Sequence, residues 1–193
     1  MNVLLVGSSG ELKERKIGKQ IDKFDVVCRI NSGGRPECLT GEYKDIIGEK
    51  TNLWLCSHIG LFNFFSTSMY DKAISFNEEY YNDNKERLIN LEFCGDQVLI
   101  DCKETLLNFN NNKGVPTSGI LSIFYLLSKY KDVTICGFDG FTKGHWYGNK
   151  FIGNQDKSDI IASKGLGRHN ALKEYEYIKH LIKTNKIKKL WVI

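Results

Sequence analysis

Residues 2–12 read Asn2-Val3-Leu4-Leu5-Val6-Gly7-Ser8-Ser9-Gly10-Glu11-Leu12. An unbroken apolar run meets a glycine-serine turn, and a helical pattern follows at 11–22. A strand that is apolar on both sides has to be covered on both faces, so this opening predicts the first unit of a parallel sheet. Val26–Ile30, Asn52–Cys56, Lys72–Phe76, Val98–Ile100, Val133–Cys136 and Leu190–Ile193 read as further strands. Helical patterns at 77–90, 103–109, 117–130 and 169–184 separate most of them. No internal repeat, proline-rich linker or composition break divides the chain. The expected fold class is α/β: a single doubly wound, Rossmann-like domain over residues 1–193 with a mostly parallel sheet. Residues 144–168, rich in Gly, Asn, Asp, Ser and Lys, read as a lid or long loop.

A length of 193 residues supports one core that folds alone. The net charge of +4 favours an anionic ligand and is too small to argue for nucleic acid. Lys183, Lys186, Lys188 and Lys189 read either as a solvated helix end or as a peripheral contact with an acidic membrane or glycan. None of the six cysteines falls in a CxxC pair or near a histidine pair, which argues against zinc. Cys28, Cys56 and Cys136 lie in apolar runs and read as buried thiols of a cytoplasmic protein. Asn2–Val6 is too short for a secretory signal, and no apolar stretch reaches membrane-spanning length. No DxD occurs, nor any carboxylate–histidine cluster, so neither a metal nor a cofactor is expected. A phosphate leaving group would then be neutralised by helix N-termini, a histidine and basic side chains.

Open α/β sheets bind ligands beyond the carboxyl ends of their strands. At the first such end, Gly7-Ser8-Ser9-Gly10 reads either as an empty turn or as an anion site on a helix N-terminus. Strand two ends in Arg29-Ile30-Asn31 and not in the acidic residue that would hold a dinucleotide ribose, which disfavours NAD. Asn31 suits both a turn and a contact to a nucleotide. Arg29, inside the strand, reads as a buried ion pair or a phosphate contact. Gly114-Val115-Pro116-Thr117-Ser118-Gly119 makes a capped helix start whose hydroxyls and N–H groups also suit an anion. After Gly137-Phe138-Asp139, His145-Trp146-Tyr147 reads as a packing anchor or as a donor to a leaving phosphate with an aromatic stack. His169 opens the last helix, whose core stripe reads Leu172, Tyr175, Ile178 and Ile182. The positive end of that helix would keep His169 neutral, as a general base requires. Glu174, a turn further on, either orients the site or pairs with a lysine. His58 follows strand three without further support, and His180 reads as a surface residue.

These segments together resemble the sialyltransferases of glycosyltransferase family 29. Val6 to Leu12, Gly18, Ile21-Asp22, Asp25 to Val27, Arg29 to Asn31 and Gly48 to Thr51 are similar to the large sialylmotif. Pro116 to Phe138 is similar to the small one, His145-Trp146-Tyr147 to the third, and His169 with Glu174 to the HxxxxE of the very small motif. They stand in the family's order. The resemblance implies a GT-A-like variant of the fold, a CMP-sialic acid donor, a glycan acceptor, inversion at the sugar and no metal. By position, His169 would take the proton from the acceptor hydroxyl, a contribution of about 10²–10⁴-fold. His145 would help the phosphate leave. Asn31 would bind nucleotide, and Thr117, Ser118 and Gly119 the donor's phosphate or carboxylate. Gly7, Ser8, Ser9, Gly10, Gly137, Tyr147 and Glu174 complete the expected substrate-binding set.

Departures from the family are specific. Ser8 stands where the family often has Asn. The cysteines that link the large and small motifs are missing, with Tyr130 near one of their places, so that disulfide is not expected. The Golgi anchor and stem of animal members are also missing, which suggests a minimal bacterial or viral member. Residues 52–113, where acceptor recognition would lie, match no motif. Transfer of another CMP-linked ulosonic acid such as Kdo, or a non-catalytic nucleotide- or glycan-binding relative, are the alternative readings.

Overall fold

The computed structural model describes residues 1–39, 41–57, 70–147 and 168–190. His58 and residues 148–167 of the expected lid lie outside the described residues. The element order is β1 (Val3–Val6), α1 (Glu11–Arg15), α2 (Gly18–Ile21), β2 (Val26–Ile30), α3 (Lys44–Ile47), β3 (Leu53–Cys56), β4 (Lys72–Ser75), α4 (Glu78–Asn84), β5 (Leu91–Phe93), α5 (Asp96–Asn110), α6 (Ser118–Lys129), β6 (Val133–Cys136), α7 (Ala171–Lys183) and β7 (Lys188–Lys189). Short 3-10 turns at Asn31–Gly34, Pro36–Cys38 and Gly41–Tyr43 join β2 to α3.

The strands form one seven-stranded sheet in the order β5-β4-β3-β2-β1-β6-β7, and every described pairing is parallel. From β1 the chain winds outward to β5, then crosses back to place β6 on the other side of β1. Strand order therefore reverses between β1 and β6, and a crevice opens there at the carboxyl ends.

Successive strand residues point to opposite faces, which explains why the runs are apolar throughout. Val3, Leu5, Cys28, Leu53, Leu55 and Ile74 pack with Cys102 and Leu106 of α5, Ile120, Ile123 and Leu126 of α6, and Ile178 and Leu181 of α7. Leu4, Val6, Val27, Trp54, Cys56 and Ala73 pack on the other face against Leu12, Ile21, Ile47 and Tyr80. None of the six cysteines forms a disulfide, and all are buried within these layers. Among the described residues no helix is long and apolar enough to cross a membrane.

Several expectations are corrected. Val98–Ile100 is not a strand but part of α5, because Val98, Leu99, Cys102 and Leu106 recur at helical spacing toward one core. The edge strand is Leu91–Phe93 instead. The helix at 11–22 is two helices, broken at Lys16, whose left-handed φ of 47° ends the first. The last strand is Lys188–Lys189 rather than Leu190–Ile193, of which 191–193 lie outside the described residues. On α7 the buried stripe is Ala171, Glu174, Ile178 and Leu181, while Leu172 is 49% exposed. A turn of the helix relative to the expected stripe thus carries Glu174 inward.

Candidate active site

The carboxyl ends of β1, β2, β3 and β6, together with the N-termini of α6 and α7, surround a cleft of ≈ 410 Å3. Ser8, Ser9, Asn31, Thr117, Ser118, Gly119, Gly137, His145, Tyr147, His169 and Glu174 all line it. Gly7 and Gly10 do not, and their role is close packing. A Cβ on Gly7 would sit 2.2 Å from the Gly137 carbonyl oxygen, and one on Gly10 would sit 2.3 Å from that of Lys143.

The first glycine turn is tied chiefly to the chain beside it. Gly7 N–H donates to Cys136 O, Ser9 N–H to Gly137 O and Gly10 N–H to Gly144 O, at 2.8, 3.0 and 2.7 Å. The Ser9 hydroxyl accepts from Glu11 N–H at 3.2 Å. Three of the turn's N–H donors thus go to the end of β6 and to the 137–144 loop, and so hold that loop beside β1. Ser8 and Ser9 are the residues of this turn that line the cleft.

That loop carries the third motif. Both carboxylate oxygens of Asp139 accept from the following turn, from Phe141 N–H at 3.0 Å and Lys143 N–H at 2.8 Å. Ser9 and His145 form an antiparallel bridge. Trp146 is fully buried, donating from its backbone to Ser8 O at 2.8 Å and from its indole to Gly7 O at 3.1 Å. With Trp146 as the anchor, His145 lies on the cleft wall. Its ring stacks on Tyr147 at 4.8 Å and 11°, and Phe141 meets it edge-on at 6.0 Å.

Asn31 adopts a left-handed φ of 46°, a conformation that Asn tolerates well. Its side-chain amide donates to Ser118 Oγ at 3.0 Å and accepts from Ser57 N–H at 3.3 Å. Ser57 Oγ and Ser118 Oγ share a further hydrogen bond. The ends of β2, β3 and α6 are thereby tied into one polar floor. Ser57 was not among the expected site residues, because its only signal is its place after a strand.

Arg29 is neither ion-paired nor a phosphate contact. It is fully buried and donates to Thr51 Oγ1 at 2.8 Å, Ile47 O at 2.7 Å and Lys50 O at 3.0 Å. Burial holds its pKa down, at about 10. The Gly48-Glu49-Lys50-Thr51 part of the large motif thus serves to receive Arg29 and fix α3 to the sheet.

Helix α6 turns its N-terminus toward the cleft. Thr117 caps it, and the first-turn N–H groups of Ser118 and Gly119 find no acceptor among the described residues. Glu174 is buried against that cap, with Oε1 accepting from Thr117 N–H at 3.0 Å and Oε2 from Thr117 O–H at 2.5 Å. Both oxygens accept from Thr117, so Glu174 braces α7 against α6 at the cleft. Burial pushes its pKa up to about 7, against the opposing pull of the two Thr117 hydrogen bonds.

His169 lies two residues ahead of α7, whose cap is the Asn170 side chain accepting from Lys173 N–H at 3.2 Å. It is therefore outside the helix. The Val115 carbonyl stands 2.6 Å from Nδ1. A carbonyl only accepts, so Nδ1 carries a hydrogen, and the tautomer this contact selects has its lone pair at Nε2. Arg168, the residue before it, also lines the cleft.

Comparison with known proteins agrees with this architecture. The family model described as glycosyltransferase family 29 (sialyltransferase) matches residues 3–74. No curated protein matches the chain. A mammalian sialyltransferase solved with Gal-beta-1-3GalNAc-ortho-nitrophenol superposes with a TM-score of 0.68 at 20% identity, covering 98% of this chain and 68% of that one. The monofunctional alpha-2,3-sialyltransferase Cst-I from Campylobacter jejuni gives 0.62 at 16% identity, covering 98% and 75%. The sialyltransferase CstII from the same organism, solved with the substrate analogue CMP-3FNeuAc, gives 0.60 at 15% identity, covering 97% and 79%. Over residues 3–74 the chain is thus similar to the sialyltransferases of glycosyltransferase family 29, and the described chain shares the fold of solved sialyltransferases.

Proposed function

We propose that this chain transfers sialic acid from CMP-sialic acid to a glycan hydroxyl, with inversion and without a metal, within one domain. The observation that carries the reading is the Val115 carbonyl at His169 Nδ1, which leaves Nε2 as a proton acceptor at the edge of the cleft. An alcohol is a weak nucleophile at neutral pH, and a placed base removes its proton as it attacks the anomeric carbon. The leaving phosphate is drawn to the open N–H groups of Ser118 and Gly119 at the positive end of α6, with His145 on the opposite wall. Asn31, Ser57 and Ser118 present a polar floor to the nucleotide or sugar. Solved relatives hold a CMP-sugar analogue and a disaccharide acceptor, which supports both substrate classes here.

The test is a donor panel of CMP-sialic acid and CMP-Kdo with a lactoside acceptor, run with and without EDTA. The anomeric configuration of the product is read by NMR. Transfer of sialic acid with inversion, unaffected by EDTA, is expected. Turnover with the Kdo donor alone, loss of activity in EDTA or a retained anomer would each overturn the corresponding part.

A further inference from the structure

Among the described residues, three charged side chains line the cleft: Asp139, Arg168 and Glu174. Glu174 is spent on Thr117, and Asp139 on the turn that leads to His145. Arg168 is exposed and, among the described residues, its guanidinium has neither a hydrogen bond nor an ion pair. It is thus the one unspent cation that the described part of the cleft offers.

Its backbone is not loose. Val115 N–H donates to Arg168 O at 2.9 Å while Val115 O accepts from His169 Nδ1 at 2.6 Å. One residue, Val115, therefore fixes both the base and the arginine beside it. A base works only within hydrogen-bond reach of the hydroxyl it deprotonates, so its neighbour borders the acceptor rather than the nucleotide. The α6 terminus already serves the donor's anion from the other side.

We propose that Arg168 recognises the acceptor, and that this acceptor is a sugar carrying an anionic group, a carboxylate or a phosphate, close to the reacting hydroxyl. The proposal rests on the assignment of His169 as base. The guanidinium fork matches either group with paired hydrogen bonds, which a neutral sugar does not supply.

The experiment uses three acceptors with one common core, neutral, carboxylate-bearing and phosphate-bearing, on the wild type, Arg168→Gln and Arg168→Lys. The expected wild-type preference for an anionic acceptor in kcat/KM is roughly tenfold or more, the size of a charge-assisted contact. Arg168→Gln erases that ratio, Arg168→Lys keeps part of it, and the donor KM does not move. The larger of the two anionic ratios tells carboxylate from phosphate. Equal use of neutral and anionic acceptors by the wild type overturns the proposal, as does an Arg168→Gln effect confined to donor KM. Calorimetric binding of the same acceptors in the presence of CMP reads the contrast without turnover. A chain that releases no CMP from the donor then counts against the transferase reading, while calorimetry still decides Arg168.

Discussion

Glu174 grips Thr117 with both carboxylate oxygens, one on the backbone N–H at 3.0 Å and one on the hydroxyl at 2.5 Å. The pair locks the first turn of α7 to the cap of α6, and so fixes the distance across which an acceptor activated by His169 would meet a donor held at Ser118. An ordinary glutamate ionises near 4.5, whereas burial raises Glu174 to about 7. The unfolded chain therefore gives up this proton first. Stability from this group is full below pH 4.5, falls as pH rises and is lost above about 7, by on the order of 3 kcal/mol. Glu174→Gln does not titrate. Thermal melts from pH 4.5 to 8 should show the wild type losing Tm relative to the variant across that window. Parallel curves would count against a buried, titrating Glu174.

If His169 is the proposed base, His169→Ala should lower kcat by about 10²–10⁴-fold and leave donor KM unchanged. Initial rates with varied donor and saturating acceptor check this. A rise in donor KM with kcat preserved would place the imidazole at the donor instead.

How legible the molecule is from sequence depends on how local the determining forces are. Val3–Val6, Val26–Ile30 and Val133–Cys136 are readable to the residue because central parallel strands need apolar side chains on both faces. Val98–Ile100 misleads because three apolar residues fit a strand or a helix, and only packing beside Cys102 and Leu106 decides. Leu91–Phe93 is an edge strand of three residues with too little pattern to detect. The site shows the same division. The cap at Thr117 and the turn residue Asn31 are local chemistry and legible. The use of Glu174 on Thr117, of Ser57 on Ser118, and of Val115 on His169 spans more than fifty residues each, and nothing local announces it.

Arg29 separates a folding role from a binding one. Its guanidinium reaches Ile47 O, Lys50 O and Thr51 Oγ1, not the cleft. Arg29→Met leaves those buried acceptors without a donor and should cost about 1–3 kcal/mol. The urea midpoint should fall while donor KM stays at the wild-type value. A raised donor KM at unchanged stability would restore Arg29 as a phosphate contact.

Two glycines close the case for how the switch point is built. A Cβ on Gly7 would stand 2.2 Å from the Gly137 carbonyl oxygen, a backbone atom that cannot swing aside, whereas one on Gly33 meets Trp146 Cζ2 at an ordinary 3.5 Å. Gly7→Ala should therefore force β1 and β6 apart and destabilise by about 1–3 kcal/mol or more, while Gly33→Ala stays within about 1 kcal/mol. Because Gly7 O also receives the Trp146 indole at 3.1 Å, the strain is transmitted to the neighbouring His145. Gly7→Ala should thus lose transfer activity at temperatures where circular dichroism still reports a folded sheet. Full activity in the folded Gly7→Ala protein would mean that the close approach of residues 7 and 137 does not position His145.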